Sequence, residues 1–260
     1  MIDAVIAHEI QSHLDRIELD NAVRILYACE SGSRAWGFAS EDSDYAVRFI
    51  YVRAHDWYLA IDEARDVIEL PVNSVLDIGG WELRKALRLM RKSNAVVFEW
   101  LQSPMVYRSD AVALDGLVQS MPEYFNLRAG AHHYLSMARN TFENDLQVER
   151  GEQVRIKRYF YALRPLFAVM WIVKFLTVPP MTFMQLRQVL PDTEVQQAID
   201  ALLLLKQQST EKTMIAPVPL IDKMIARELS RCTELVQNLP TQDSSSATLN
   251  GLLRKVVCNA

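Results

Sequence analysis

The sequence predicts an α+β fold in which a small mixed half of strands and helices precedes a helical half. Short runs rich in β-forming residues, each closed by a turn residue, are confined to roughly the first 110 positions. From Ala111 onward the apolar residues recur almost wholly at the helical period. At 260 residues, half of them hydrophobic, the chain is long enough to bury one large core or two smaller ones. The expected division is an α/β domain over residues 1–110 and a helical domain over 111–260.

Ile2, Val5, Ile6, Ile10, Leu14 and Ile17 recur at helical spacing and predict an opening amphipathic helix. Val23 to Cys29 is short, β-rich and followed by a glycine turn, as a buried strand would be. Tyr45 to Val52, Arg65 to Leu70 and Ser74 to Ile78 read as three further strands, with Pro71 and Asn73 marking the turn between the last two. From Trp81 the period turns helical through Leu83, Leu87 and Met90, and Asn94 to Leu101 is a second helical piece. Pro104 to Tyr107 suits an edge strand. Helices are expected over Ala111 to Ser120, Glu123 to Arg150, Glu152 to Leu176, Thr193 to Gln208 and Pro219 to Gln237. The serine-rich stretch Thr241 to Thr248 reads as a mobile linker to a short terminal helix.

Composition narrows the classes. A formal net charge of −4 gives no bulk attraction to nucleic acid, so any polynucleotide contact must come from a local basic surface. Cys29, Cys232 and Cys258 are widely spaced, which argues against a zinc site or a disulfide framework. Met1 to Leu19 lacks a signal-peptide core. The longest apolar run, Leu166 to Val178, contains Lys174 and is too short to span a bilayer. A cytoplasmic protein without a membrane partner is expected.

The most informative segment is Glu30 to Arg48. Gly32 permits close approach of a phosphate, and Ser33, at the start of a helix, offers a hydroxyl and backbone N–H groups. Ten residues after Ser33 comes Ser43-Asp44 at the entry of a strand. Alternation puts Asp44, Ala46 and Arg48 on one face and Tyr45, Val47 and Phe49 on the other. Carboxylates at 44 and 46 would stand side by side and suit Mg²⁺, which takes oxygen ligands. Asp77, alone in an apolar strand, is the candidate third carboxylate, ahead of Asp62, Asp66 and Glu69. Singly, Gly-Ser and Ser-Asp recur by chance; their order along the chain is what gives them weight.

Gly32-Ser33-Arg34-Ala35-Trp36-Gly37 with Ser43-Asp44-Tyr45-x-Val47-Arg48-Phe49-Ile50-Tyr51-Val52 resembles the DNA polymerase β-type nucleotidyltransferase superfamily. It is most similar to the bacterial predicted-nucleotidyltransferase branch that includes the RNA-ligase-associated polymerase β-like proteins. Asp77-Ile78-x-x-Trp81-x-Leu83-x-Lys85-Ala86-Leu87, Glu99-Trp100-Leu101-x-Ser103-Pro104-x-Val106-Tyr107 and Lys157-x-Tyr159-Phe160-Tyr161-Ala162-Leu163-Arg164-Pro165 extend the resemblance over most of residues 25–180. It implies a small polymerase β-type domain, with the helical domain closing the nucleotide site. It implies transfer of a nucleoside monophosphate from a triphosphate, ATP among them, to an acceptor hydroxyl. An RNA or tRNA 3′ end is the favoured acceptor, with protein side chains and small molecules as others. Asp44, the residue at 46 and Asp77 would hold Mg²⁺, with Mn²⁺ as substitute, and Gly32, Ser33 and Arg34 the triphosphate.

The resemblance also implies Asp where Ala46 stands. Either the chain is a natural pseudoenzyme or the residue has been replaced to silence it. The intact surroundings favour replacement, an aspartate at 46 in the parent and a nearly inactive chain here.

In the helical half, Lys157, Tyr161 and Arg164 are spaced i, i+4 and i+7, so an ammonium, a phenol and a guanidinium line one helix face that could meet a nucleotide. His132 and His133 point in different directions and lack ligand-spaced partners, which favours a structural role. Arg84, Lys85, Arg88, Arg91 and Lys92 form the best local candidate for an RNA-binding patch, and Trp81 reads as packing. The rival reading is a non-catalytic nucleotide- or RNA-binding regulatory protein, antitoxin-like, with Ala46 native. Neither the acceptor nor the oligomeric state follows from the sequence.

Overall fold

The computed structural model describes residues 3–62, 64–73, 75–146 and 153–259. The chain opens with α1 (Ala4–Asn21), β1 (Val23–Ser31), α2 (Gly32–Trp36), β2 (Tyr45–Arg53), a 3-10 turn (His55–Leu59), β3 (Val67–Glu69) and β4 (Leu76–Glu82). It continues with α3 (Leu83–Arg91), α4 (Ala95–Trp100), β5 (Val106–Ser109), α5 (Ala111–Tyr124), α6 (Leu127–Asn140), a π-helical turn (Thr141–Leu146) and β6 (Val154–Arg155). It closes with α7 (Ile156–Phe175), α8 (Phe183–Leu186), a second 3-10 turn (Arg187–Val189), α9 (Thr193–Gln207), β7 (Met214–Ile215), α10 (Pro219–Val236) and α11 (Ala247–Val257). The fold is α+β. Two compact units divide it: Met1–Ala35, Asp44–Tyr124 and Ser244–Ala260 form one, Trp36–Ser43 and Phe125–Asp243 the other. Among the described residues no helix is long and apolar enough to cross a membrane.

The first unit is a five-stranded sheet in the order β3-β4-β2-β1-β5. β2 and β4 run parallel; the other neighbours are antiparallel. α1 starts where the Asp3 carboxylate accepts from the N–H groups of Val5 and Ile6, at 2.8 and 3.3 Å, and stops at Ala22 in the left-handed conformation. Its buried face, Ile10, Leu14 and Ile17, joins Ile25, Val47, Phe49, Tyr51 and Ile78 in one core. Full burial of each such aliphatic side chain contributes about 1.5–3 kcal/mol. Arg108 on β5 fastens that edge by donating to Asp15 and Glu18 of α1, at 2.5 and 2.8 Å.

β4 outruns the expected strand. Trp81 and Glu82, expected to open a helix, stay in the sheet because β2 offers parallel partners as far as Tyr51. The helix begins one residue later, with the Glu82 carboxylate accepting from the Lys85 N–H at 3.3 Å. Trp81 does pack, stacked on Trp100 with centroids 3.9 Å apart.

The serine-rich stretch is fastened rather than loose. The Ser244 hydroxyl donates to the Glu123 carbonyl at 2.6 Å and the Tyr124 hydroxyl to the Ser245 carbonyl at 2.5 Å. α11 then lays Leu252 against Gly116 of α5. Residues 111–124 and 244–260 thus belong with the sheet, so the compact units do not follow the expected division at 110 in a single cut.

The second unit is helical around an aromatic cluster in which Phe38 stacks on Phe160 at 5.1 Å and meets Phe183 edge-on at 5.7 Å. The single helix expected over residues 123–150 is broken, because Asn126 caps α6 by accepting from the Ala129 N–H at 3.0 Å. The paired strands β6 and β7 span two residues each, too short for any alternation to reveal them. Pro165 lies inside α7 without ending it. Ile2, Ser74, Arg150 and Glu152, where expected elements begin or end, lie outside the described residues.

Candidate functional site

In the parallel β2–β4 ladder Ala46 and Asp77 are register partners. Tyr45, Val47 and Phe49 enter the core, which leaves Ala46 and Arg48 half-buried on the opposite face. Arg48 donates to the Asp77 carboxylate at 2.5 Å and to the Asp77 carbonyl at 2.8 Å. Gly32 follows β1 with φ of 69°, a left-handed value that favours glycine, and a Cβ built there would lie 3.6 Å from that of Ala46. Gly32, Ala46 and Asp77 therefore gather at one end of the sheet. Ser33 follows Gly32 in α2 and is half-buried. Asp44 is exposed just ahead of β2. Arg34 holds this strand entry: its Nε donates to the Asp44 carbonyl at 3.1 Å and its guanidinium lies 3.8 Å from the Tyr45 ring centroid.

Glu30 escaped the sequence reading. It is fully buried in β1, and its carboxylate accepts from the Ala46 N–H at 2.8 Å and the Tyr107 hydroxyl at 2.5 Å. Burial raises its pKa against the pull of those two hydrogen bonds and of Arg34 and Arg48. The signal was a lone carboxylate in an apolar strand, the pattern that singled out Asp77. Beside it, burial pushes the Cys29 thiol up to about 12, so it is an inert core group.

In the second unit, the α7 face bearing Lys157, Tyr161 and Arg164 meets the Trp36–Ser43 segment. Tyr161 stands edge-on to Trp36 at 5.8 Å. Arg164 is 2% exposed, donates through Nε and Nη2 to the Met181 carbonyl at 3.2 and 3.1 Å, and lies 4.3 Å from the Trp36 ring centroid. Helical spacing placed it with Lys157 and Tyr161, and in the structure its guanidinium is turned to these interior partners.

Lys157 pairs with Glu211 at 3.4 Å. Glu211 also accepts from Ser43 at 2.7 Å, Ser40 at 3.3 Å and Lys206 at 2.9 Å, while Lys206 donates to Ser40 as well. Asp42 closes the network by accepting from the Glu211 N–H at 2.9 Å. Burial works to raise the Glu211 pKa, yet the hydrogen bonds from Ser43 and Lys206, with the charges of Lys206 and Lys157, hold it at about 2. The sequence signal was a lysine on the buried face of α9, in line with Val195, Ile199 and Leu202.

A divalent cation needs converging oxygen donors. Those at hand are Asp44, exposed ahead of β2, and Asp77, already paired with Arg48, while position 46 offers only a methyl group. Among the described residues no group of three or more His, Cys, Asp or Glu is arranged to hold a metal ion. The described residues do not make the two-ion site that the resemblance implies. His132 and His133 are exposed.

The model of the RNA repair pathway DNA polymerase beta family matches residues 6–255. The chain is 43% identical over 250 residues to the uncharacterized protein YcgL of Bacillus subtilis (strain 168), and the match covers 95% of each. Among solved structures it is similar to a nucleotidyltransferase-like protein from Exiguobacterium sibiricum 255-15, at 13% identity over 96% of this chain and 80% of that one. The TM-score is 0.30. With a family match over nearly its whole length, the chain belongs to the RNA repair pathway DNA polymerase beta family.

Proposed function

We propose that this chain carries a nucleotidyltransferase site whose transfer step is silenced by Ala46. A nucleoside triphosphate lies against Gly32 and Ser33. With an aspartate at 46, an acceptor hydroxyl attacks the α-phosphorus, pyrophosphate leaves, and the monophosphate passes to the acceptor. An RNA 3′ end is the favoured acceptor, and family membership supports nucleotidyl transfer as the reaction type.

The observation that carries this reading is the register of Ala46 with Asp77, with Gly32 directly beside it. A carboxylate at 46 would stand next to that of Asp77 on the half-buried face of the sheet, where a phosphate over Gly32 could be met. The alanine leaves the surrounding geometry in place and removes one anionic group.

The test is the Ala46→Asp variant, incubated with each labelled nucleoside triphosphate, Mg²⁺ and total cellular RNA or protein, beside the unaltered chain. Incorporation confined to the variant is expected. Failure of the variant with every triphosphate and acceptor would overturn the transfer reading. Equal, metal-independent nucleotide binding by both proteins in calorimetry would then favour the rival, a regulatory binding protein with Ala46 native.

A further inference from the structure

A cavity of about 300 Å³ lies at the opposite end of the sheet, lined by Trp57 and Tyr58 of the first 3-10 turn, Asp66, and Arg84, Lys85 and Arg88 of α3. It follows the C-terminal ends of β2 and β4, whereas Gly32, Ala46 and Asp77 lie at the other end of these strands. Along β2 the separation is roughly 25 Å, too far for one nucleotide to reach both.

The charges in this cavity are unevenly spent. Lys85 is paired with Asp66 at 2.9 Å. Glu82 is buried, caps α3 and accepts from the Tyr58 hydroxyl at 2.5 Å. Arg84 lies over the two aromatic rings, 4.8 Å from the centroid of Tyr58 and 5.9 Å from that of Trp57. Arg88 is exposed and makes no side-chain ion pair among the described residues. Asp62 is exposed at the rim and is the remaining anion among the described lining residues.

Two guanidinium groups with no carboxylate partner among the described residues thus stand beside two half-buried aromatic rings set at 81° and 5.0 Å. Guanidinium binds phosphate through paired N–H donors, and aromatic faces stack on bases. The cavity volume is at the lower end of small-ligand sites.

We propose that this cavity is a second nucleotide-binding site, with the base against Trp57 and Tyr58 and the phosphate on Arg84 and Arg88. A free nucleotide and a nucleotide within single-stranded RNA share that chemistry. The proposal stands independently of transfer at the first site.

The test is photo-crosslinking of the full chain with 8-azido-ATP and, separately, with a short single-stranded RNA carrying 4-thiouridine, the labelled residue being mapped by mass spectrometry. Label is expected on Trp57 or Tyr58, unchanged in Ser33→Ala. It should fall about tenfold in Arg88→Glu, the loss of one charge-assisted contact. Arg88 is exposed, so this variant should melt like the parent. Labelling by both probes supports a site for free nucleotides, and labelling by the RNA alone supports an RNA contact. Absence of label at both residues with either probe, or label undiminished by Arg88→Glu in a normally melting protein, overturns the proposal. Incorporation by Ala46→Asp is read separately, so failure here is distinguishable from failure there.

Discussion

Replacing Glu211 with glutamine tests the charged network that holds the Ser40–Ser43 turn. Glu211 keeps 27% of its side chain exposed and faces Lys206, which is 1% exposed. Its carboxyl is held at about 2, against an ordinary 4.5. Burial opposes that value, so hydrogen bonds from Ser43 and Lys206 and the two lysine charges more than offset desolvation. The difference corresponds to about 3 kcal/mol of stability. Because the folded value lies below the unfolded one, this contribution is complete above about pH 4.5 and lost as pH falls towards about 2. Glu211→Gln removes it at all pH values and leaves the buried Lys206 ammonium without its counter-charge. Urea unfolding of both proteins, from neutral pH down to about 2.5, reads the effect. The variant should be less stable by at least about 3 kcal/mol at neutral pH, and most of that gap should close on acidification. Parallel loss of stability in the two proteins would refute the reasoning, since the acid sensitivity would then come from other carboxylates.

Gly80→Ala should cost about 1–3 kcal/mol, because a Cβ there would lie 2.3 Å from the Phe49 ring in the packed core. Gly116→Ala meets only the mobile end of Leu252, at 2.5 Å, and gains helix propensity of about 1 kcal/mol, so it should be near neutral. Equal losses in thermal melts would contradict this distinction. Tyr124→Phe removes the hydrogen bond to the Ser245 carbonyl and should cost about 1 kcal/mol. It should also speed proteolysis within Thr241 to Thr248; cleavage at the parental rate would show that the stretch is held by other contacts.

What was legible in the sequence was what periodicity controls. α1 buries one face and β2 alternates through its first half, so Ile10, Leu14, Ile17 and the alternating Tyr45, Val47 and Phe49 announce their elements. The same alternation put position 46 and Arg48 on one face without reference to any other strand. Illegible were the features decided by partners distant in sequence. Trp81 and Glu82 remain in β4 because β2 continues beside them, and the Tyr124–Ser245 bond joins positions 121 residues apart. The surroundings of Arg164 were illegible for a related reason: helix spacing gives a residue its direction, but the Met181 carbonyl and Trp36, distant in sequence, lie where it points.

The pairing of Ala46 with Asp77 is such a long-range fact, and it changes what the alanine means. As the chain stands, one carboxylate faces one guanidinium, Asp77 with Arg48, and that pair needs no further charge. Adjacent strands lie about 4.8 Å apart, so an aspartate at 46 would bring a second carboxylate close to the first. Arg48 alone could not neutralise both, and the pair would favour either a proton or an added cation. Glu30, buried behind the Ala46 N–H, adds to the local negative potential when ionised rather than relieving it. Alanine removes that demand for positive charge while leaving Gly32 and Ser33 unaltered. On the function proposed above, a chain built this way would keep a nucleotide against the glycine turn while lacking the anionic group at 46 that transfer would use.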